Sequence, residues 1–587
     1  MKRLFKGYVF ILIAAVILCG CLNAGNSIAA SSNDNELMAR EDGAGVKDGA
    51  QVDDYMQASD EDMQWWKDAK FGVFVHWNQS SLIARSISWS RKAYGPEKYD
   101  QLYKKFNPVK FDAREWIRTF KDAGARYFVF VAKHHDGFSM FDSKYTDYDM
   151  MATPFARDTC KELADACKAE GVKFQIYYSP VDWSHPDCVN EKNWSPEYEK
   201  FFFNQMRELC TNYGKIDGIW WDGGWWAENT PKLYKMMRKL QPHLITNGRI
   251  KGANGDYGNR ELQLGAFDIS RPWEACTVMS GAWSWGGGKK PKSARTCIRT
   301  LVNVVGRGGN LLLNTDPMAD GAIHPPQKEA FKGIGKWLRE YGETIYGTKA
   351  GPYKPGPWGA CTRKGKNIYL HVLQDWANDA KRILRLPSID VKVVNCSLLT
   401  GGTVGFRKVD GQFEFDLSKS KPDTTDLIIK LETAGSVENL KPVDLVQFAT
   451  FVQGRLPKVS SNEKSAAYMT SNIFTGKNEG AKIKGFWYPQ GGDNDPWVEL
   501  DLDGKRNIEY ITLSQNPRTT DGVKRFELHI HDGNEWRTIH KGKSIGYNFA
   551  LKCAEGTIAS KVKLVLKEVS YGVNLAVFDV KGVASVE

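Results

Sequence analysis

The chain has 587 residues and a mass of 66.1 kDa, too long for one hydrophobic core, so two to four domains are expected. Its composition, 42% hydrophobic and 25% charged, is that of a globular protein. The net charge of +11 is spread thinly, without a Lys/Arg block or a nucleic-acid motif, which excludes a nucleic-acid partner and leaves solubility as its role. The 20 Trp are the exception in an ordinary composition and point to flat apolar surfaces for ligand stacking.

In chain order, residues 1–30 read as a signal peptide. Lys2, Arg3 and Lys6 precede an apolar run from Val9 to Leu18, which is far shorter than the ~20 residues that span a bilayer. The run ends in Leu18-Cys19-Gly20-Cys21, which resembles a bacterial lipobox with Cys21 as the lipidated residue; cleavage after Ser27-Ile28-Ala29-Ala30 is the alternative. Either way the expectation is export, to a bacterial periplasm or as an outer-membrane or surface lipoprotein attached to the membrane through Cys21. Residues 31–60 are polar and acidic, a tether. Nine cysteines follow Cys21 without zinc-site spacing, so buried thiols are expected, with no disulfide framework.

Residues 61–348 alternate short apolar runs with amphipathic helices. Strands are expected at Phe71–Val75, Arg126–Val131, Phe174–Tyr178, Gly218–Trp221 and Leu244–Asn247. Helices are expected at Asp112–Ala123, Asp158–Glu170, Glu197–Tyr213 and Pro231–Leu240, with a long closing helix from Pro326 to Tyr341. This alternation predicts a β/α (TIM-like) barrel. Residues 349–434 change to short alternating strands, a small antiparallel β-sandwich. Residues 435–587 read as a linker and a further β-rich unit, with strands at Trp497–Leu502, Ile508–Leu513, Phe526–His531 and Val562–Leu566.

Chemistry concentrates where the barrel strands end. The first strand runs into His76-Trp77, the second into Lys133-His134-His135-Asp136, the third ends in Tyr177-Tyr178-Ser179, the fourth runs into Asp222, and the fifth into Asn247-Gly248-Arg249. In a β/α barrel these termini converge on one face. Asp222 follows Trp220-Trp221 and precedes Gly223-Gly224, so a carboxylate stands among indoles at a sharp turn. Indole faces suit the C–H face of a sugar, which makes glycoside cleavage the nearest chemistry. A metal-dependent hydrolase using His76, His134, His135 and Asp222 is a rival reading. It lacks the His-x-His pair usual on a first strand, and adjacent His134 and His135 point to opposite sides of an extended strand. A non-catalytic carbohydrate-binding protein is another.

Four motifs, Phe71–Trp77, Ala132–Phe138, Trp220–Gly223 and Gly308–Asn314 followed by Pro317–Gly321, resemble the α-L-fucosidases of glycoside hydrolase family 29. The likeness spans about Met63 to Leu431. It implies hydrolysis of terminal α-L-fucose on oligosaccharides or glycoconjugates, with retention of configuration and without cofactor or metal. It makes Asp222 the nucleophile and His76, Trp77, His134, His135, Tyr178, Trp220 and Arg249 the sugar shell. A retaining mechanism needs a second carboxyl group about 5–5.5 Å from the nucleophile. Glu274 is the foremost candidate, because Trp273 beside it would raise its pKa; Glu261 and Glu228 are the others. Two positions depart from the family pattern. Asn78 stands where Gly is usual after His-Trp, and Ser86–Ser90 lacks the sugar-binding Glu of many members, so acceptance of an α-L-galactoside is a further expectation. The C-terminal unit resembles a discoidin-like, galactose-binding-type jelly roll, through Pro496–Leu502 and Asp532–Trp536, with Trp487 and Tyr488 as aromatics that either stack on a sugar or pack in its core.

Overall fold

The computed structural model describes residues 54–188, 194–224, 229–376, 381–421, 425–445, 449–452, 457–461, 487, 489–490, 493–515, 522–546, 549–569 and 575–582. The signal segment with Cys21, most of the tether, Glu228 and Tyr488 lie outside the described residues.

Eight parallel strands form one sheet: β1 (Phe71–Val75), β2 (Tyr127–Lys133), β3 (Lys173–Tyr178), β4 (Gly218–Trp221), β5 (Ile245–Thr246), β6 (Gly258–Glu261), β7 (Trp273–Val278) and β8 (Asn310–Thr315), in the order β5-β4-β3-β2-β1-β8-β7-β6. A parallel bridge between Asn247 and Tyr257 joins the two ends, so the sheet closes into a barrel. Register from Phe74 runs one way through Val129, Gln175, Gly218 and Ile245, and the other way through Asn314 and Val278. Continued across the bridge, the two paths reach β6 at Gly255 and Gln263, eight residues apart. That offset is the shear of a TIM barrel.

Helices α1 (Asp60–Ala69), α2 (Ala113–Asp122), α3 (Thr159–Glu170), α4 (Pro196–Asn212), α5 (Thr230–Leu240), α6 (Ala294–Gly306) and α7 (Pro325–Tyr341) precede, connect and follow the strands. Their starts are written in the sequence. Ser59, Asp112, Asp158, Ser195 and Ser293 each accept a backbone N–H three residues on, which satisfies a donor the helix leaves open. No helix separates β5 from β6 or β6 from β7. Side chains alternate across β1: Phe71, Val73, Val75 and Trp77 join the core beneath the helices, while Phe74 packs inside the barrel with Tyr177 and Trp220.

Strands β9 (Lys349–Ala350), β10 (Gly359–Lys364), β11 (Asn367–Val372), β12 (Asp375–Trp376), β13 (Ile383–Pro387), β14 (Val393–Leu398), β15 (Gly405–Val409), β16 (Gln412–Asp416) and β17 (Leu427–Thr433) follow. All but β12 form two antiparallel sheets, β14-β17-β11-β10-β9 and β13-β16-β15, around a core that includes Leu370, Phe413, Phe415 and Ile429. β12 instead pairs in parallel with Leu551–Lys552 of the C-terminal unit. That unit has two five-stranded sheets, one of them completed by β12, over a core in which Trp487 is fully buried and donates its indole N–H to the Ser461 carbonyl. Trp487 is therefore a packing residue, not a stacking platform. No helix among the described residues is long and apolar enough to cross a membrane.

Candidate active site

Asp222 is the first residue after β4, at the C-terminal mouth of the barrel. Gly223 follows it at φ +70°, and a Cβ there would come within 2.9 Å of the His135 ring, so only glycine lets the chain turn away beside that imidazole. The Asn247 side chain receives the Trp221 N–H and donates to the Trp221 carbonyl, which locks the end of β4 to β5.

Asp222 Oδ2 accepts the Tyr177 hydroxyl at 2.6 Å and lies 3.6 Å from His135 Nε2. Arg249 Nη2 lies 3.0 Å from Oδ1, an ion contact, while Oδ1 accepts no hydrogen bond. Burial pushes the Asp222 pKa up, but the Arg249 charge and the Tyr177 hydrogen bond work against it and the carboxyl is held below its ordinary value. Asp222 is thus a charged carboxylate, with Oδ2 hydrogen-bonded to Tyr177 and Oδ1 in ion contact with Arg249.

The same Arg249 nitrogen is 3.2 Å from Glu261 Oε2. Two carboxylates sharing one nitrogen can be no farther apart than those two contacts end to end, 3.0 plus 3.2 Å. The ~5–5.5 Å separation of a retaining pair fits inside that limit. Glu261 is the last residue of β6, so it too stands at the mouth.

Glu274 stands elsewhere. It is the second residue of β7, paired in register with Asn310, the first of β8. Its Oε2 accepts the hydroxyl of Tyr127, the first residue of β2, at 2.6 Å, and its Oε1 accepts the Trp220 indole N–H at 2.9 Å and the Asn259 amide at 3.3 Å. These partners place it toward the N-terminal half of the barrel, under the Trp220 ring. Burial raises its pKa to about 7, against the two hydrogen bonds that lower it.

Two expected sugar contacts face the other way. Trp77 stacks on Phe111 and meets Trp116 edge-on in the outer core, donating to the Met318 carbonyl. Tyr178 bonds Gln205 of α4 at 2.6 Å, and its neighbour Tyr177 is the tyrosine that reaches Asp222. Adjacent strand residues point to opposite faces, and the expectation chose the wrong parity at both positions.

His76, His134 and His135 do converge. His76 meets His134 with ring centroids at 5.7 Å, and His134 meets His135 at 4.2 Å. The chain turns at His135-Asp136, so the adjacent histidines both come near Asp222. Burial lowers the pKa of all three, to about 4 for His76 and His135, so each is a neutral imidazole near pH 7. Trp220 stacks on Tyr177 at 5.5 Å, and the Arg249 guanidinium sits 5.1 Å from the Trp220 ring. Trp89 and Trp183 flank His135, and Trp283 flanks His76. These three tryptophans sit in loops that strand periodicity does not reach; their residue type is the signal that could have found them.

The two departures have structural explanations. Asn78 caps the turn after β1 and donates to Asp136 Oδ2 at 2.9 Å. Ser88 Oγ lies 2.6 Å from His134 Nδ1. His134, His135 and Asp222 each offer a ligand atom within 4.8 Å of one another, a span that would admit a metal ion. Arg249 already supplies the positive charge at Asp222, and a cation there would meet it as a like charge.

Residues 47–343 match the family model described as α-L-fucosidase, and residues 458–577 match the F5/8 type C domain. The chain is 29% identical to rat tissue α-L-fucosidase over 353 residues, covering 54% of this chain and 74% of that one. It is 27% identical to human plasma α-L-fucosidase over 383 residues, 58% and 81%. Among solved structures, α-L-fucosidase isoenzyme 1 from Paenibacillus thiaminolyticus superposes with a TM-score of 0.58 at 30% identity, covering 64% of this chain and 99% of that one. A Bacteroides thetaiotaomicron α-L-fucosidase of family GH29, trapped as a covalent intermediate with 2-fluoro-fucosyl fluoride, gives 0.59 at 26% identity, covering 67% and 100%. With the family model spanning half the chain, and with this barrel carrying a carboxylate and three imidazoles at its mouth, the protein is a glycoside hydrolase that belongs to the α-L-fucosidase family GH29.

Proposed function

We propose that the protein hydrolyses terminal α-L-fucose from glycans with retention, using Asp222 as nucleophile and Glu261 as acid/base. The observation that carries this reading is the pair of carboxylates on one Arg249 nitrogen at the barrel mouth. In the first step the Asp222 carboxylate forms a bond to C1 as the glycosidic C1–O bond breaks. The leaving oxygen takes the proton of the Glu261 carboxyl. In the second step the Glu261 carboxylate takes a proton from water, whose oxygen attacks C1 and releases Asp222. The trapped covalent intermediate of the Bacteroides relative supports this course. Glu274, held by Tyr127, Trp220 and Asn259, acts by positioning Trp220 rather than by proton transfer.

Hydrolysis of an aryl α-L-fucoside followed by proton NMR tests this reading. The first-formed anomer should be α-L-fucose, and the rate should survive dialysis against a chelator. First-formed β-fucose, or loss of rate that zinc restores, would refute it. Export through residues 1–30 with lipidation at Cys21 is part of the same proposal, supported by the basic and apolar pattern of that segment. Palmitate labelling lost in Cys21→Ser is its test, and equal labelling of both forms would reject it.

A further inference from the structure

The three imidazoles at the barrel mouth differ in what holds their Nδ1 atoms. Asn314 Nδ2 donates to the Trp283 carbonyl at 2.6 Å, which leaves Asn314 Oδ1 facing His76 Nδ1 at 2.7 Å. An amide oxygen only accepts, so Nδ1 of His76 carries the hydrogen. Ser179 Oγ lies 2.8 Å from the Val181 carbonyl, and its single hydrogen goes there. Its 2.7 Å contact with His135 Nδ1 is therefore made by the ring N–H. Both rings turn an Nε2 lone pair away from these contacts.

Ser88 is arranged the other way. Its Oγ accepts the Asp136 N–H at 2.9 Å, and its remaining partner among the described residues is His134 Nδ1 at 2.6 Å. Ser88 is fully buried, so a hydroxyl hydrogen without an acceptor would be costly. The hydroxyl satisfies both atoms only by donating to Nδ1, which puts the ring hydrogen on Nε2. Ser88 is also held in place for this. It sits at φ +55°, a left-handed conformation uncommon for a residue with a Cβ. Its N–H donates to the Tyr99 hydroxyl at 3.0 Å. Tyr99 in turn donates to Asp136 Oδ2 at 2.6 Å, and Asn78 donates to the same oxygen at 2.9 Å. The strained serine, the buried acid, the tyrosine and the asparagine form one cage around a single hydroxyl.

We infer that Ser88 is a positioning residue that fixes His134 as the Nε2–H tautomer, so that His134 donates to the bound sugar while His76 and His135 accept from it. The sugar hydroxyl facing His134 must then offer a lone pair, and those facing His76 and His135 must offer hydrogens. A pocket with this alternation selects a hydroxyl arrangement by hydrogen-bond sense as well as by shape. The consequence for the sugar rests on the fucosidase reading above; the tautomer itself does not.

Long-range nitrogen–proton NMR of the full chain with labelled histidine tests the assignment, using His76→Gln, His134→Gln and His135→Gln to identify the signals. His134 should show its protonated nitrogen at Nε2, with His76 and His135 protonated at Nδ1. Ser88→Gly suits the left-handed backbone and removes the hydroxymethyl group, hydroxyl included. In that variant His134 should lose its single tautomer. KM for an aryl α-L-fucoside should rise about three- to tenfold, the worth of one hydrogen bond, with kcat within about twofold. A wild-type His134 protonated at Nδ1 would overturn the inference, and so would a tautomer unchanged in Ser88→Gly. The wild-type spectrum decides the point even if the variant does not fold, or if the enzyme acts on another sugar.

Discussion

Arg249 determines which glutamate can work with Asp222. Its Nη2 touches Asp222 and Glu261, whereas Glu274 is held by Tyr127, Trp220 and Asn259. Glu261→Ala should therefore slow substrates with poor leaving groups far more than activated aryl fucosides, and added azide should restore rate by replacing activated water. Glu274→Ala should show no azide rescue; rescue in that variant alone would return the role to Glu274. Glu274 has its own signature in stability. Its folded pKa is raised from 4.5 to about 7, so the folded chain holds more protons than the unfolded one across that window. The wild type accordingly loses stability as pH rises from 4.5 to 7. A glutamine cannot titrate, so the Tm of Glu274→Gln relative to wild type should climb over that range and level off above it. The change should be on the order of 3 kcal/mol. A pH-independent difference would show that Glu274 is not a neutral buried acid. Burial raises the Glu274 pKa, but adjacent Trp273 lies in the outer core and the tryptophan that reaches the carboxyl, Trp220, lowers it. The Trp273-Glu274 pair in the sequence does not say at which end of the strand it lies.

At the scale of elements, the first five strands and the helices between them were legible, while β6 to β8, α6 and strand parity were not. The five strands expected before residue 250 are present, because each is a short apolar run set off by the helices beside it. β6 escaped notice because Gly258-Asn259-Arg260-Glu261 has no apolar residue, and no helix flanks it to mark the alternation. Yet β6 carries Glu261. In β3, Tyr177 and Tyr178 are chemically identical in the sequence, and only the ladder with β4 sends Tyr177 inward beside Trp220. The pair gives a test by opposite effects. Tyr177→Phe removes a charged hydrogen bond from Asp222, worth about 1.5–3 kcal/mol, so kcat/KM should fall roughly 10- to 100-fold with Tm little changed. Tyr178→Phe removes the bond to buried Gln205, and Tm should fall while kcat/KM holds. Calorimetry and initial rates on the two variants measure both effects, and equal losses of activity would contradict the assigned parity.

Among the described residues, the short strand β12 is one tie between the accessory unit and the rest of the chain, and an ion pair of Arg385 with Glu555 at 3.9 Å is another. Asp375 of β12 lies 3.6 Å from Arg295 and Arg299 of α6, and it pairs in register with Leu551 of the C-terminal unit. Tyr510 of that unit lies 3.0 Å from Gln374. Arg299 also donates to the Thr425 carbonyl at 2.8 Å, so barrel, two-sheet unit and C-terminal unit meet near α6. A chain ending at residue 445 should keep kcat/KM on an aryl fucoside within about threefold but melt at a lower temperature, since β12 loses its partner. Loss of activity without a change in Tm would mean that the accessory unit completes the site.

The central claim is that Asp222 becomes covalently bonded to the sugar. Incubating the full chain with a slow 2-fluoro-fucosyl reagent, digesting it and sequencing the labelled peptide by mass spectrometry tests this most directly. The account predicts a single fluorofucosyl adduct on Asp222, absent in Asp222→Asn. A label on Glu261, Glu274 or any other residue, or steady turnover of the reagent by Asp222→Asn, would contradict it.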